Sequence, residues 1–117
     1  DLTNQRLVFY MKGTPIVDTP IVSGNPNIDG CATPEGCYAL DAKESPAVLT
    51  GEDYETNVTY WMPFAGNVGI HDATWRTEFG GNMYQWDGSH GCINVPYDKA
   101  AAIYANIEVG MPVVVYE

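Results

Sequence analysis

Turn-forming residues interrupt this chain so often that only one stretch, Tyr97 to Ile107, keeps a helical period long enough to count as a helix. Pro96 opens it, Ala100, Ile103, Tyr104 and Ile107 share one face, and Gly110 follows its end. Elsewhere the apolar runs are short and rich in β-branched residues. Gln5 to Met11 and Thr14 to Val22 flank the turn Lys12-Gly13, which predicts a hairpin. Ser23 to Ala32 is dense in Gly, Pro, Asn and Asp and reads as a loop. A strand is expected from Gly36 to Ala42, followed by a polar, loosely packed excursion from Lys43 to Asn57. Val58 to Phe64 and Val68 to His71 suit two strands or one bent strand, with His71 at a strand end. Thr74 to Phe79 suggests one helical turn, and Met111 to Tyr116 a closing strand. The fold class is therefore mainly β, with short strands and one C-terminal helix over about 97–107.

A chain of 117 residues has the length of one domain, read here as 1–117. No apolar stretch is long enough to span a bilayer, and the first residues lack the blocks of an export signal, so either a cytosolic protein or an excised fragment is expected. Fifteen acidic residues against five basic ones give a formal charge of -10. Such a field repels polyanions, which argues against nucleic acid and anionic membrane as partners, while an amine-bearing substrate would be attracted. Its simplest use is solubility.

Three cysteines divide into a near pair, Cys31 and Cys37, and a lone Cys92. The pair flanks the run Thr33-Pro34-Glu35-Gly36 and can be read as a disulfide in an oxidising compartment or as two small buried hydrophobes. The chain has only two histidines, and His90 stands two residues before Cys92. A thiol with an ordinary pKa of roughly 8.5 needs a neighbouring imidazole or dipole to act as a nucleophile at neutral pH. Residues two apart on an extended segment share a face without their side chains pointing at each other, so His71, arriving from another strand, is the better placed base.

The series His71, then Asp72 to Gly88 as a gap, then Ser89-His90-Gly91-Cys92-Ile93-Asn94 resembles the signature of the L,D-transpeptidases. Thr19-Pro20-Ile21-Val22-Ser23-Gly24, Ala32-Thr33-Pro34-Glu35-Gly36, Tyr60-Trp61-Met62-Pro63 and Gly69-Ile70-His71-Asp72 also resemble segments of Gram-positive members. The resemblance covers nearly the whole chain and implies a β-sandwich of short mixed strands. It departs in two places: family domains usually open with a further strand before the turn that Asp1 to Gln5 resembles, and the cysteine pair is not part of the family pattern. A truncated N-terminal strand is expected on the first ground.

The resemblance implies acyl transfer on peptidoglycan without a cofactor. Cys92 would attack the carbonyl of stem residue three, D-Ala would leave as its amine, and a second stem's side-chain amine would take the thioester, with His71 moving the protons. Backbone N–H groups of His90, Gly91 and Cys92 are the expected oxyanion donors, and Ser89 is placed near the thiolate. Asp72 can orient His71 through its carboxylate only if the chain bends there; otherwise its carbonyl must serve. Tyr60, Trp61, Met62, Trp75 and Trp86 are candidates for a groove wall, most of them also good core residues. Arg76 is placed against either a substrate carboxylate or a surface acid, and Asn94 in the bracing of the loop before Pro96. The implied partners are donor and acceptor stem tetrapeptides and carbapenem β-lactams, with the domain a monomer in the cell wall, exported or anchored through a region outside this chain.

Three rivals accompany this reading. A zinc site from His71, Asp72, His90 and Cys92 lacks paired-ligand spacing. An L,D-carboxypeptidase or endopeptidase would form the same thioester and give it to water. A wall-binding module without turnover would leave the signature without use.

Overall fold

The structure, a computed structural model, describes residues 1–51 and 55–117. Its elements in chain order are β1 (Arg6–Met11), β2 (Thr14–Pro20), β3 (Gly36–Ala39), β4 (Ala47–Thr50), β5 (Glu55–Val58), β6 (Trp61–Ala65), β7 (Val68–Asp72), α1 (Tyr84–Asp87), β8 (Ile93–Val95), α2 (Tyr97–Asn106) and β9 (Pro112–Val115). The expected hairpin is β1–β2, antiparallel across Lys12-Gly13. Helix α2 starts directly after Pro96, as a residue without an N–H allows, and buries Ala100 and Ile103 against β7 and β2. Strand β9 closes the chain by pairing with β3.

The site rests on the three-stranded sheet β6-β7-β8. β6 and β7 are antiparallel, with a bulge between Pro63 and Ala65 where a proline cannot donate to the ladder. β7 and β8 are parallel, with Ile70 opposite Ile93 and His71 opposite Asn94. Val22 exchanges hydrogen bonds with Asn94 (3.0 and 2.9 Å) and ties the end of the first hairpin to β8. Beneath lies a core in which Met62, Val95 and Ala100 have no exposed surface and Leu40 and Ile103 retain 1%. This is the mainly β sandwich with one longer helix.

Three expectations change. The polar segment Lys43 to Asn57 is not a structureless excursion: β4 and β5 pair within it, from Ala47 opposite Val58 to Thr50 opposite Glu55, and the part over 52–54 lies outside the described residues. The helical turn expected over Thr74 to Phe79 does not form; a single bond, Arg76 N to Ala73 O at 3.2 Å, closes a turn there, and the short helix comes later, as α1. Cys31 and Cys37 are free thiols, Cys37 exposed on β3 and Cys31 half-buried in the loop.

Candidate active site

His71 sits near the C-terminal end of β7 and retains 4% of its surface. Its Nδ1–H donates to the Asp72 backbone carbonyl at 2.7 Å. A carbonyl can only accept, so the proton is held on Nδ1 and the lone pair is left on Nε2, the atom a base uses. The imidazole is flanked by Trp61 and Trp75, each ring centroid 5.9 Å away. Burial pushes its pKa below the ordinary value, and the nearby Arg76 charge acts in the same direction against the Asp72 contacts.

Cys92 lies one residue before β8. Because Ile70 faces Ile93, Cys92 falls level with Gly69, on the same sheet face as His71 and two residues from it along β7. The Sγ–H donates to the Asn67 carbonyl at 3.4 Å, while a hydrogen bond from the Gly69 backbone favours the thiolate. Burial outweighs that bond and raises the thiol pKa. The resting pair is therefore a neutral thiol and a neutral imidazole, so the thiolate must be made by proton transfer as the nucleophile attacks.

The signature loop is braced from two sides. Ser89 Oγ donates to the Cys92 carbonyl and accepts the Gly91 N–H at 3.1 Å. Ser89 thus shapes the loop around the cysteine through its backbone, and its hydroxyl engages the Gly91 N–H. Gly91 has φ +136, which only glycine adopts without strain. On the other side, Thr33 Oγ donates to the Gly91 carbonyl at 2.7 Å and accepts the Gly24 N–H at 2.8 Å. Gly24 is packed so closely that a Cβ there would meet the Cys31 carbonyl oxygen at 1.8 Å. Ser23 and Asn25 extend the clamp, Ser89 N donating to Ser23 O at 3.0 Å and Asn25 N to Ser89 O at 3.1 Å. Thr33, Gly24 and Ser23 have no role in the sequence reading, although the segments containing them carried the resemblance.

The Asp72 carboxylate points elsewhere. It accepts N–H bonds from Thr59 (3.0 and 3.1 Å) and Tyr60 (2.7 Å), fixing the turn that leads into β6. His71 is oriented by the Asp72 carbonyl, the second of the two expected routes. Asp72→Asn is expected to lower stability by about 1–3 kcal/mol by removing a charged acceptor from the half-buried Thr59 and Tyr60 N–H groups. It should slow acylation by far less than the roughly 10⁴-fold loss that follows removal of a triad carboxylate's charge. Thermal melting and acylation rates on one variant check both halves.

The remaining expected contacts divide. Trp75 is 54% exposed beside His71 and can form a wall. Trp61 is buried against the imidazole, and Trp86 is exposed on α1. Met62 is fully buried and belongs to the core, not to a groove. Tyr60 packs on Tyr97 and Tyr104 of α2, with centroids 5.7 and 5.1 Å away, so it serves the seam between sheet and helix. Asn94 is buried in β8 and braced through its backbone to Val22. His90 is exposed. The Arg76 side chain is not on the surface: it keeps 9% of its exposure, against 66% for Asp87, its partner at 3.5 Å. Among the described residues no group of three or more His, Cys, Asp or Glu converges as metal ligands. No helix among them is long and apolar enough to cross a membrane. A cavity of about 570 Å³ lies apart from this site, between β1 and β9, lined by apolar residues including Leu7, Phe9, Ile103 and Val113.

A cysteine on the same sheet face as a buried, carbonyl-oriented imidazole, two residues from it along β7, is the arrangement of a cysteine-nucleophile domain. The chain belongs to the YkuD family, the L,D-transpeptidase catalytic domain, whose family model matches residues 1–115. It is similar to the Enterococcus faecium L,D-transpeptidase, whose cysteine-to-serine mutant superposes with a TM-score of 0.92 at 39% identity, covering 98% of this chain and 47% of that one. The NMR structure of the catalytic domain from the same enzyme acylated by ertapenem gives a TM-score of 0.85 at 40% identity, covering 98% and 92%. An L,D-transpeptidase from Mycobacterium smegmatis gives 0.82 at 25% identity, covering 99% and 56%. The chain spans about half the length of the first of these. No curated protein matches its sequence.

Proposed function

We propose that this domain cross-links peptidoglycan stems by two-step acyl transfer through Cys92, in an extracytoplasmic setting. The observation that carries the proposal is the 2.7 Å contact of His71 Nδ1 with the Asp72 carbonyl, which leaves Nε2 as the basic nitrogen of a side chain on the sheet face that bears Cys92. In the first step His71 Nε2 takes the thiol proton while Sγ bonds to the carbonyl carbon of stem residue three. The oxyanion falls to the Cys92 N–H in the loop that Ser89 and Thr33 hold. The C–N bond then breaks, the departing D-Ala nitrogen takes the proton from His71, and a thioester remains on Cys92. In the second step the acceptor side-chain amine attacks the thioester carbon and gives a proton to His71. The C–S bond breaks and the sulfur recovers that proton, so no net proton or electron is consumed.

The acidic surface suits this chemistry, since the acceptor is a cation until it loses its proton. The ertapenem adduct of the Enterococcus faecium catalytic domain supports a carbapenem as a covalent ligand of Cys92 here. Mass spectrometry of products from a disaccharide-tetrapeptide tests the reading. Cross-linked dimers are the expected result. Loss of terminal D-Ala alone would assign the domain to hydrolysis instead, and unchanged substrate would overturn acyl transfer altogether.

The pH dependence follows from the neutral pair. Acylation needs an unprotonated His71, whose pKa is held low by burial, so the rate should stay level through neutrality and fall only as pH drops through a midpoint on the acid side of about 6.5. A midpoint above 6.5 in acylation kinetics would contradict a buried imidazole as the base.

A further inference from the structure

Among the described residues, Arg76 is the one Lys or Arg side chain whose charge acts on His71. Of the five basic residues, Arg6 pairs with Asp18 on the first hairpin, Lys12 stands at that hairpin's turn, Lys43 lies over the Tyr104 ring and Lys99 is on α2. Arg76 follows Trp75, which packs on His71, and reaches Asp87, two residues before Ser89 and the signature loop. It therefore spans the two strands of chain that carry His71 and Cys92.

Its guanidinium is underused for so buried a group. The side chain retains 9% exposure, yet Nε has no hydrogen-bond partner among the described residues and the contact from Nη1 to Asp87 is 3.5 Å, at the outer limit for such a bond. A buried guanidinium ordinarily has its planar fork filled, because each unpaired N–H loses hydration without return. Asp87, 66% exposed, can turn to solvent without being stranded.

Resting on the transpeptidase reading above, we propose that the Arg76 fork is the subsite for the α-carboxylate of the donor's terminal D-amino acid, the group that leaves in the first step. The departing nitrogen must stand within reach of His71 Nε2 to take its proton, and the carboxylate lies on the carbon bonded to that nitrogen. Its position is thus confined to the surroundings of His71, in a domain whose acidic surface would otherwise repel it. A planar fork whose enclosed Nε lacks a partner among the described residues and whose Nη1 makes one long contact has donors left for a carboxylate in two parallel hydrogen bonds. The subsite would select donors that end in a free carboxylate at the fourth residue.

Acylation of the whole chain by two donors tests this: a disaccharide-tetrapeptide with its free terminal carboxylate and the same compound as the terminal carboxamide. Wild type should prefer the carboxylate by about 10- to 100-fold in kcat/KM, the range of a charge-assisted pair. Arg76→Gln should bring the two donors close to equality and Arg76→Lys should keep part of the preference, while Asp87→Asn should keep it in full. Equal use of both donors by wild type overturns the subsite without any variant, whatever the folding of Arg76→Gln. A preference that survives in Arg76→Gln also overturns it, as does an equal loss in Arg76→Gln and Asp87→Asn, which would make Arg76 a structural tie. Turnover of neither donor by wild type would instead overturn the transpeptidase reading, and the subsite with it.

Discussion

Replacing Cys92 by alanine is expected to abolish acyl-enzyme formation and cross-linking while leaving the fold intact. The side chain is half-buried and its contact to the Asn67 carbonyl at 3.4 Å is long, so losing it together with the Gly69 backbone contact should cost little stability. The chemistry has no other route, since the thioester forms on that sulfur. Loss of a covalent nucleophile in a comparable centre reduces kcat by about 10⁶-fold. Near-wild-type melting together with no detectable product is the expected pair of observations. Product formation by Cys92→Ala at a tenth of the wild-type rate or more would remove the residue from the mechanism.

His71→Gln should have the next largest effect. Glutamine fills similar space between Trp61 and Trp75 and can donate to the Asp72 carbonyl in place of Nδ1–H, but it offers no base. Loss of general base and acid catalysis is worth about 10²- to 10⁴-fold, and acylation should slow by that amount. The pH profile should change as well. Without the imidazole the thiolate must form by ionisation of a thiol whose pKa burial has raised, so the residual rate should climb with pH beyond neutrality instead of levelling. Acylation kinetics across pH measure both effects. A variant that keeps the wild-type rate and plateau would mean that another group takes the proton.

The elements that the chain reveals in advance are those with strong local signals. Lys12-Gly13 marks the first hairpin, and Pro96 with the apolar spacing of Ala100, Ile103 and Ile107 marks α2. The β4–β5 hairpin escapes such reading because it is half exposed, with Val48 at 53%, and its acidic surroundings look like those of a loop. Strand β8 is only three residues long, and its identity depends on Val22 and His71, which pair with it from far along the chain.

The site divides in the same way. His71 and Cys92 are legible because their chemistry and spacing form a specific signature. Thr33 is not, since a threonine gains its role only when folding brings Gly24 and Gly91 to either side of its hydroxyl. Period-two alternation along β7 left two routes by which Asp72 could orient His71, and only the fold reveals Thr59 and Tyr60 as the owners of its carboxylate. The burial of Arg76 was equally hidden. Nothing in Trp75-Arg76-Thr77 distinguishes a guanidinium enclosed beside a base from one at the surface.

The central claim is that the acyl group passes through Cys92. Intact-protein mass spectrometry after brief incubation with a disaccharide-tetrapeptide, without acceptor, followed by peptide mapping, tests it most directly. The expected result is a single adduct, equal to the donor less its terminal D-Ala, on the peptide that contains Cys92, and discharged by an added amine. Turnover with no adduct on that peptide, or an adduct on Cys31, Cys37 or any other residue, would contradict the account.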